Sequence, residues 1–216
     1  MAAKEGRRMN VRENLRGARL LLVTDPRPDL VARVESAVRG GVDVVQIRDK
    51  RASREELIPL SAELRTVCER GGAIFTVNDD VGLARISGAD GVHLGHEDAR
   101  TRDARALLGP GAIVGRSAGT LDEALNALHD GADYLGIGAV YATPTKPEGD
   151  VGGLRLVQEI SRSNLPIPWF AIGGVTLETA PEVAAAGASG FAVVRAVLDA
   201  EDPEAAAREL KVHLSA

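Results

Sequence analysis

The segment VVQIRDK places three polar side chains at alternate positions of a short apolar run. Gln46, Arg48 and Lys50 share one parity, so a β-strand would point all three to the same side. Val45 and Ile47 have the opposite parity and would pack against a layer of helices. Two cations and an amide on one face are suited to binding an anion. The alternative is that the charges after Ile47 form a solvated run.

Carboxylates stand where the next two apolar runs end. The segment TVNDD supplies Asn78, Asp79 and Asp80, and HLGHEDAR supplies Asp98. We expect Asp80 to cap a following helix, which leaves Asp79 for other work, whereas Asp98 would either cap a helix or face inward. Mg²⁺ binds one or two protein carboxylates and completes its shell with water and substrate phosphate. Beside the cations, including Lys146, the pair Asp79 and Asp98 predicts a Mg²⁺ site for a diphosphate.

A hydroxyl and two imidazoles lie near the fourth and fifth apolar runs. In GRSAG, Gly115 leaves room and Ser117 offers its hydroxyl. The sequence shows no His–Asp pair to activate a serine nucleophile, so we interpret Ser117 as a group that hydrogen-bonds a substrate. His93 and His96 lack the additional Cys or His of a transition-metal site. We interpret His93 as a structural strand residue.

Hydroxyls and glycines follow the later apolar runs. The segment YATPTK contains Thr143, Thr145 and Lys146, and AIGGVT contains Gly173 and Gly174. Barrel enzymes often hold a phosphate monoester at this place on backbone amides, which glycines allow to come close. The alternative is that the two glycines only form a tight turn.

The elements that must position these groups recur regularly. Each of eight short apolar runs is followed by a helical pattern, and the runs occupy residues 20–25, 44–49, 74–79, 91–95, 113–118, 134–139, 169–174 and 191–196. Strands interleaved with helices indicate parallel βαβ units. A dinucleotide-binding fold would need G-x-G-x-x-G after the first strand, where the chain reads TDPRPD. We therefore predict one α/β domain over residues 18–216, a single (β/α)8 TIM barrel whose site lies at the carboxyl ends of its strands.

The composition of the chain limits the classes of molecule that it is expected to bind. The chain has 216 residues, a formal charge of −5 and a single cysteine, so it cannot form an internal disulfide. The negative charge gives no reason to expect nucleic acid or an anionic membrane as a partner. The first 17 residues are charged throughout and predict a flexible leader or a short surface helix. We expect a cytoplasmic protein with small-molecule substrates, and we leave open whether it forms a homo-oligomer.

Taken in order, these motifs resemble thiamine-phosphate synthase from about residue 20 to residue 198. The residues that carry the resemblance are Gln46, Arg48, Lys50, Asn78, Asp79, Asp80, His93, Gly95, Asp98, Gly115, Ser117, Thr143, Pro144, Thr145, Lys146, Ile172, Gly173 and Gly174. The resemblance implies joining of 4-amino-2-methyl-5-hydroxymethylpyrimidine diphosphate to 4-methyl-5-(2-phosphoethyl)thiazole, with release of pyrophosphate. In that family the C–O bond breaks before the thiazole nitrogen attacks, so no nucleophilic side chain is needed.

The resemblance also implies a role for each residue. The departing diphosphate would be held by Arg48, Lys50, Asn78 and Lys146, with Mg²⁺ on Asp79 and Asp98. The pyrimidine would be held by Gln46 and Ser117. The thiazole phosphate would be held by Thr143, Thr145, Gly173, Gly174, Val194 and Arg195. Of these, the groups expected to act in catalysis are Arg48, Lys50, Ser117 and Lys146.

Three positions depart from the family pattern. His96 stands where Gln is usual, Ala139 where Pro commonly follows Gly138, and Arg195 where Ser is common. Arg195 would either strengthen the grip on the phosphate or leave that contact to a backbone amide.

Three rival functions stay open. A related thiazole tautomerase shares the barrel, but its catalytic His would fall at Gly119. A phosphosugar isomerase or aldolase would need a Lys or Glu base at the end of a strand, whereas Lys50 and Lys146 lie in loops. The third alternative is a non-catalytic vitamin-binding module.

Overall fold

A computed structural model describes residues 11–143 and 151–214, and within them the predicted (β/α)8 barrel is confirmed. Eight parallel strands close in the order of the sequence, and each lies inside one of the eight predicted apolar runs. The strands are β1 Leu20–Val23, β2 Val44–Ile47, β3 Ile74–Asn78, β4 Gly91–Leu94, β5 Ile113–Ala118, β6 Tyr134–Ile137, β7 Trp169–Ile172 and β8 Phe191–Val193.

Helices surround the barrel, with one short helix before the first strand. They are α1 at residues 11–17, α2 Leu30–Arg39, α3 Arg54–Gly71, α4 Val81–Ser87, α5 Thr101–Leu108, α6 Leu121–His129, α7 Gly153–Arg162, α8 Ala180–Ala185, α9 Arg195–Leu198 and α10 Pro203–Val212. In the part of the chain that the structure describes, no helix has both the length and the apolar character needed to cross a membrane.

Alternation along the strands separates two apolar clusters. Side chains such as Val45, Ile47 and Phe75 pack outward against the helices, whereas Val44 and Ile74 belong to a second cluster inside the barrel. This alternation follows from the period of two in a β-strand. It fixes which polar residues of each strand face the barrel interior, where a ligand can bind.

Helix α3 shows how the sequence sets the bounds of an element. Ser53 and Glu56 form a reciprocal capping box at its start, because the Glu56 amide donates to the Ser53 side chain and the Ser53 amide donates to the Glu56 carboxylate. Gly72, with φ of 76°, ends the helix in the left-handed conformation that glycine adopts without strain. The capping box therefore fixes the residue at which the helix begins, directly after the loop that carries Lys50.

Helix α1 occupies part of the stretch predicted as a flexible leader or short surface helix. Val11 and Leu15 are buried in the same inner cluster as Ile113 and Phe170. Arg12 also lies 3.0 Å from the carboxylate of Asp133, just before β6. These contacts place the helix at the amino-terminal end of the barrel, opposite the carboxyl ends of the strands. Residues 1–10 of the predicted leader lie outside the described residues.

Candidate active site at the carboxyl ends of the strands

The end of β2 has the parity that the sequence predicts. Val45 and Ile47 belong to the outer cluster, so Gln46 between them points into the barrel. Gln46 is only 4% exposed, and its Nε2 donates to Oδ1 of Asn78 at 2.8 Å. A buried amide needs such a partner, since an unpaired polar group inside a protein is costly. The contact leaves the carbonyl oxygen of Gln46 to accept a hydrogen bond from a ligand.

The loop after β2 carries the two predicted cations. The amide of Arg48 donates to Oγ1 of the buried Thr24 at 2.9 Å, which holds the start of the loop against the end of β1. The side chain of Lys50 is more exposed than that of Arg48, and its Nζ lies 3.2 Å from Oδ2 of Asp79. The cationic loop of β2 thus meets the carboxylate that follows β3.

Asp79 and Asp98 come together at the mouth of the barrel. Asp79 has φ of 63°, a left-handed conformation that is uncommon for residues other than glycine. Asp98 accepts from the amide of Gly95 at 2.6 Å and lies within hydrogen-bonding reach of Asp79. Burial, and then the contact with Asp79, raise the pKa of the Asp98 carboxyl above its usual range. The open alternative for Asp98 is settled: α5 begins at Thr101, so Asp98 does not cap it.

The chemistry of this carboxylate pair fits a hard divalent cation. Two half-buried carboxylates at one point repel each other, and a cation between them would remove that repulsion. Among residues 11–143 and 151–214, no group of three or more His, Cys, Asp or Glu side chains is placed to hold a metal ion. Transition-metal sites usually need such a group, whereas Mg²⁺ can bind with only one or two protein carboxylates as ligands. The pair therefore suits Mg²⁺ better than zinc.

Asp80 has the separate, structural role that the sequence predicts. It caps α4 by accepting from the Leu83 amide at 2.9 Å. It also accepts two hydrogen bonds from the guanidinium of Arg54, at 2.7 and 2.9 Å. Burial alone would raise the pKa of Asp80, but the bonds from Arg54 and Leu83 hold it below its usual value. The side chain of Asp80 is thus engaged with Arg54 and the start of α4, whereas that of Asp79 contacts Lys50 and Asp98.

Replacing Asp80 with Ala is expected to lower the free energy of unfolding by about 1–2 kcal/mol, because the helix loses its cap and Arg54 loses its partner. Asp80→Asn keeps an acceptor for the Leu83 amide and should lose less. Urea unfolding followed by circular dichroism measures both. Equal stability of the wild type and Asp80→Ala would contradict this role.

A polar group inside the barrel connects β4, β5 and β6. His93, 8% exposed, lies with its Nε2 3.0 Å from Oγ of Ser117 and its Nδ1 3.2 Å from the hydroxyl of Tyr134. His93 is a strand residue as predicted, but its contact with Ser117 was missed. A Ser–His contact is also part of a nucleophilic triad, yet the triad needs a carboxylate at the other ring nitrogen, where His93 contacts a phenol.

Tyr134, unlike His93, is not among the residues that the sequence singled out. The parity of β4 could have shown that the side chain of His93 points into the barrel, since Val92 and Leu94 on either side are apolar. For Tyr134 the signal is weaker, because it is the first residue of an apolar strand. Burial raises the pKa of its hydroxyl, which keeps the phenol protonated.

The loops after β6 and β7 run side by side. The amide of Tyr141 donates to the carbonyl of Gly173 at 2.9 Å. A Cβ on Gly173 would lie 2.7 Å from Cβ of Ala139, and one on Gly174 would lie 2.6 Å from Cβ of Tyr141. The glycines, with φ of 98° and 67°, have no side chain to clash with the loop after β6, so the two loops can pack closely. Their role at a phosphate stays a prediction.

A tyrosine anchors the loop that carries the predicted threonines. The hydroxyl of Tyr141 donates to the carboxylate of Glu182 in α8. Burial, and then this bond, raise the pKa of Tyr141 to about 12. Thr143, two residues after Tyr141, is half-buried, whereas Thr145 and Lys146 lie outside the described residues.

The end of β8 leads into the short helix α9. Val194 precedes this helix, and Arg195 at its first position is exposed. Arg27, in the loop after β1, fastens the helix by donating to the carbonyl of Leu198 and to Asp199. The loop after β1 thus holds the carboxyl end of α9, four residues beyond Val194.

The structure thus brings the predicted residues of β2, β3 and β4 into direct contact. Gln46 meets Asn78, and Lys50 meets Asp79 beside Asp98. The predicted residues that come after β7 and β8 likewise lie at the carboxyl ends of those strands. The exposed His96, at a position that departs from the family pattern, lies 3.4 Å from Glu123 of α6.

Comparison with known proteins gives a consistent match. A family model described as thiamine monophosphate synthase matches residues 20–197. A thiamine-phosphate synthase of Synechococcus sp. (strain CC9311) is 46% identical over 208 residues, covering 94% of this chain and 59% of that protein. A thiamine-phosphate synthase of Methanocella arvoryzae is 47% identical over 189 residues, covering 87% of each chain.

Among solved structures, a thiamine phosphate pyrophosphorylase from Pyrococcus furiosus superposes with a TM-score of 0.84. It is 37% identical, and the match covers 95% of this chain and 98% of that chain. The chain spans 57–59% of the length of the Synechococcus relative and of two further curated relatives.

Proposed function

Because the chain belongs to the thiamine monophosphate synthase family, we propose that it joins the pyrimidine diphosphate to the thiazole phosphate and releases pyrophosphate and thiamine phosphate. The observation that carries the proposal is the meeting of Asp79 and Asp98 beside Lys50 at the carboxyl ends of the strands. A site with both signs of charge suits a metal-bound diphosphate, which needs carboxylates for the ion and cations for its own oxygens.

The diphosphate half of the site stabilises the leaving group. Lys50 and Arg48 stand on one loop, so both can donate to diphosphate oxygens, and Lys50 can do so by leaving Asp79. Mg²⁺ held by Asp79 and Asp98 would supply further positive charge beside the departing diphosphate. Charged groups that are already in place favour the charge that develops as the bond breaks, which is worth several kcal/mol in enzymes. Lys146 is proposed for the same task.

The pyrimidine half positions the ring. Asn78 occupies the amide nitrogen of Gln46, so the free carbonyl of Gln46 can accept from the amino group of the pyrimidine. Ser117 would bind the same ring from β5. Neither residue forms a covalent bond in the proposed reaction, because the aminopyrimidine itself stabilises the cation that remains when the diphosphate leaves.

The second half of the mouth is proposed to hold the thiazole phosphate. Its groups are Thr143, Thr145, Gly173, Gly174, Val194 and Arg195. The anchored loop after β6 and the short helix α9, which Arg27 holds at its carboxyl end, would limit the movement of the bound thiazole, so that its nitrogen faces the cation.

The proposal is tested by incubating the purified chain with both substrates and Mg²⁺ and measuring thiamine phosphate by chromatography. We expect product only when both substrates are present, with equimolar pyrophosphate. Conversion of the thiazole phosphate into an isomer without coupling would instead indicate the tautomerase alternative. Binding of both ligands without any conversion would indicate a non-catalytic module.

A further inference from the structure

A buried hydroxyl reaches Ser117 through His93. Tyr134 is fully buried inside the barrel, where its ring packs edge-on against Phe170 at 5.8 Å between centroids. Its hydroxyl lies 3.2 Å from Nδ1 of His93, and Nε2 of His93 lies 3.0 Å from Oγ of Ser117. A continuous polar path therefore leads from the apolar interior to the residue proposed to bind the pyrimidine.

The sequence makes room for this path. A Cβ on Gly115 would lie 2.1 Å from Cζ of Tyr134 and 2.6 Å from Nδ1 of His93. A Cβ on Gly136 would lie 3.3 Å from Cε1 of His93. Strands β5 and β6 thus carry glycine at positions where a Cβ would crowd the imidazole. The glycine of the G-x-S motif serves to seat the Tyr–His pair beside Ser117.

The path has a preferred direction. A neutral imidazole has one donor and one acceptor nitrogen, and a buried hydroxyl must donate its proton to a partner. A phenol is a stronger donor than an imidazole N–H, and an imidazole nitrogen is a stronger acceptor than a phenol oxygen. Thr76 is a competing acceptor for the Tyr134 proton, but an imidazole nitrogen accepts more strongly than a hydroxyl, so the favoured arrangement has Tyr134 donating to Nδ1. Nε2 then carries the ring proton and donates to Ser117, whose own proton is left for a ligand.

We propose that Tyr134 is a positioning residue for the coupling reaction: its hydroxyl fixes the Nε2–H tautomer of His93 and so presents Ser117 as a hydrogen-bond donor to the pyrimidine. The ligand feature that such a donor recognises is an acceptor, an aromatic ring nitrogen. The carbonyl of Gln46 offers the complementary acceptor for the amino group. The inference rests on the proposed function for the identity of the ligand, but the tautomer does not depend on it.

The tautomer is measured directly on the full chain with ¹⁵N-labelled histidine. The chain has four histidines, and loss of one set of ring signals in His93→Gln assigns His93. Ring-nitrogen shifts are expected to show a single Nε2–H tautomer in the wild type and a mixture in Tyr134→Phe. As a control, Phe170→Leu disturbs the packing of Tyr134 but keeps its hydroxyl, so the tautomer should persist.

Two results would overturn the inference. One is an Nδ1–H tautomer in the wild type, which would mean that the path runs the other way, with Tyr134 donating to Thr76 and Thr76 to the carbonyl of Val45 at 3.3 Å. The other is an unchanged tautomer in Tyr134→Phe. The first of these needs only the wild type, so the inference stays testable if Tyr134→Phe does not fold.

Kinetics separate positioning from packing. Tyr134→Phe should lower kcat/KM for the pyrimidine diphosphate about tenfold and leave KM for the thiazole phosphate within about twofold, because one donor to one ligand is disturbed. Equal loss for both substrates in Tyr134→Phe and Phe170→Leu would indicate a merely structural role and contradict the inference. If the wild type makes no thiamine phosphate, the proposed function fails, and the tautomer measurement still decides the role of Tyr134.

Discussion

Replacing Asp98 with Asn is expected to lower the rate of thiamine phosphate formation by about 100-fold or more, because a preorganised charge at the leaving group is lost. The same change should keep or raise the unfolding temperature. The pKa of Asp98 is raised by burial and by Asp79, so its charged form is unfavourable in the folded protein. An Asn oxygen can still accept from the Gly95 amide, so the local backbone keeps its bond.

The matched control is Asp80→Asn, because Asp80 is next in the chain to Asp79, the other carboxylate of the pair. Asp80→Asn removes the same charge within the same segment as Asp79, but Asp80 is engaged with Arg54 and the start of α4. It should therefore retain most of the activity, whereas Asp79→Asn should behave like Asp98→Asn. Rates measured by pyrophosphate release, with unfolding temperatures for each variant, test this. Similar activity in all three variants would contradict the assignment.

Replacing Gly115 with Ala is expected to lower the free energy of unfolding by about 1–3 kcal/mol, since a methyl group would be forced against Tyr134 and His93. The coupling rate should fall by about 100-fold, because small displacements of positioning groups have effects of this size. Ser117 lies two residues along the same strand and would move with the pair. The variant therefore links packing inside the barrel to the chemistry at its mouth.

Gly119→Ala is the control for this prediction. A Cβ there would lie 3.5 Å from Oε2 of Glu123 and 3.5 Å from the carbonyl of Gly138, which is ordinary contact. Chemical unfolding and initial rates should place Gly119→Ala near the wild type. A Gly115→Ala protein with the wild-type rate and stability would show that the Tyr–His pair can shift without consequence.

The barrel, and the placement of polar residues at the ends of β2 and β3, could be predicted from the sequence because they depend on local patterns. Alternation alone places Gln46 inside and Val45 outside, and Asp80 precedes its helix at the position that a cap requires. Such features involve residues that are close along the chain. The structure confirms them at these positions.

Other features depend on the register between strands, which a single sequence does not reveal. The contact of His93 with Ser117 and Tyr134 requires knowing how β4, β5 and β6 align, and the left-handed backbone of Asp79 has no sequence signal. Whether Asp98 caps a helix or faces inward depends on the start of α5, a boundary that the sequence left open. The packing of Val11 and Leu15 into the barrel was missed because the helix that carries them is short and otherwise charged.

A divalent cation acting with Asp79 and Asp98 at the mouth of the barrel is central to the proposed reaction. The most direct measurement is the rate of thiamine phosphate formation by the purified wild type after treatment with EDTA and then with excess Mg²⁺. We predict that EDTA abolishes product formation and that Mg²⁺ restores it fully. Coupling that continues at the same rate in EDTA would contradict this account.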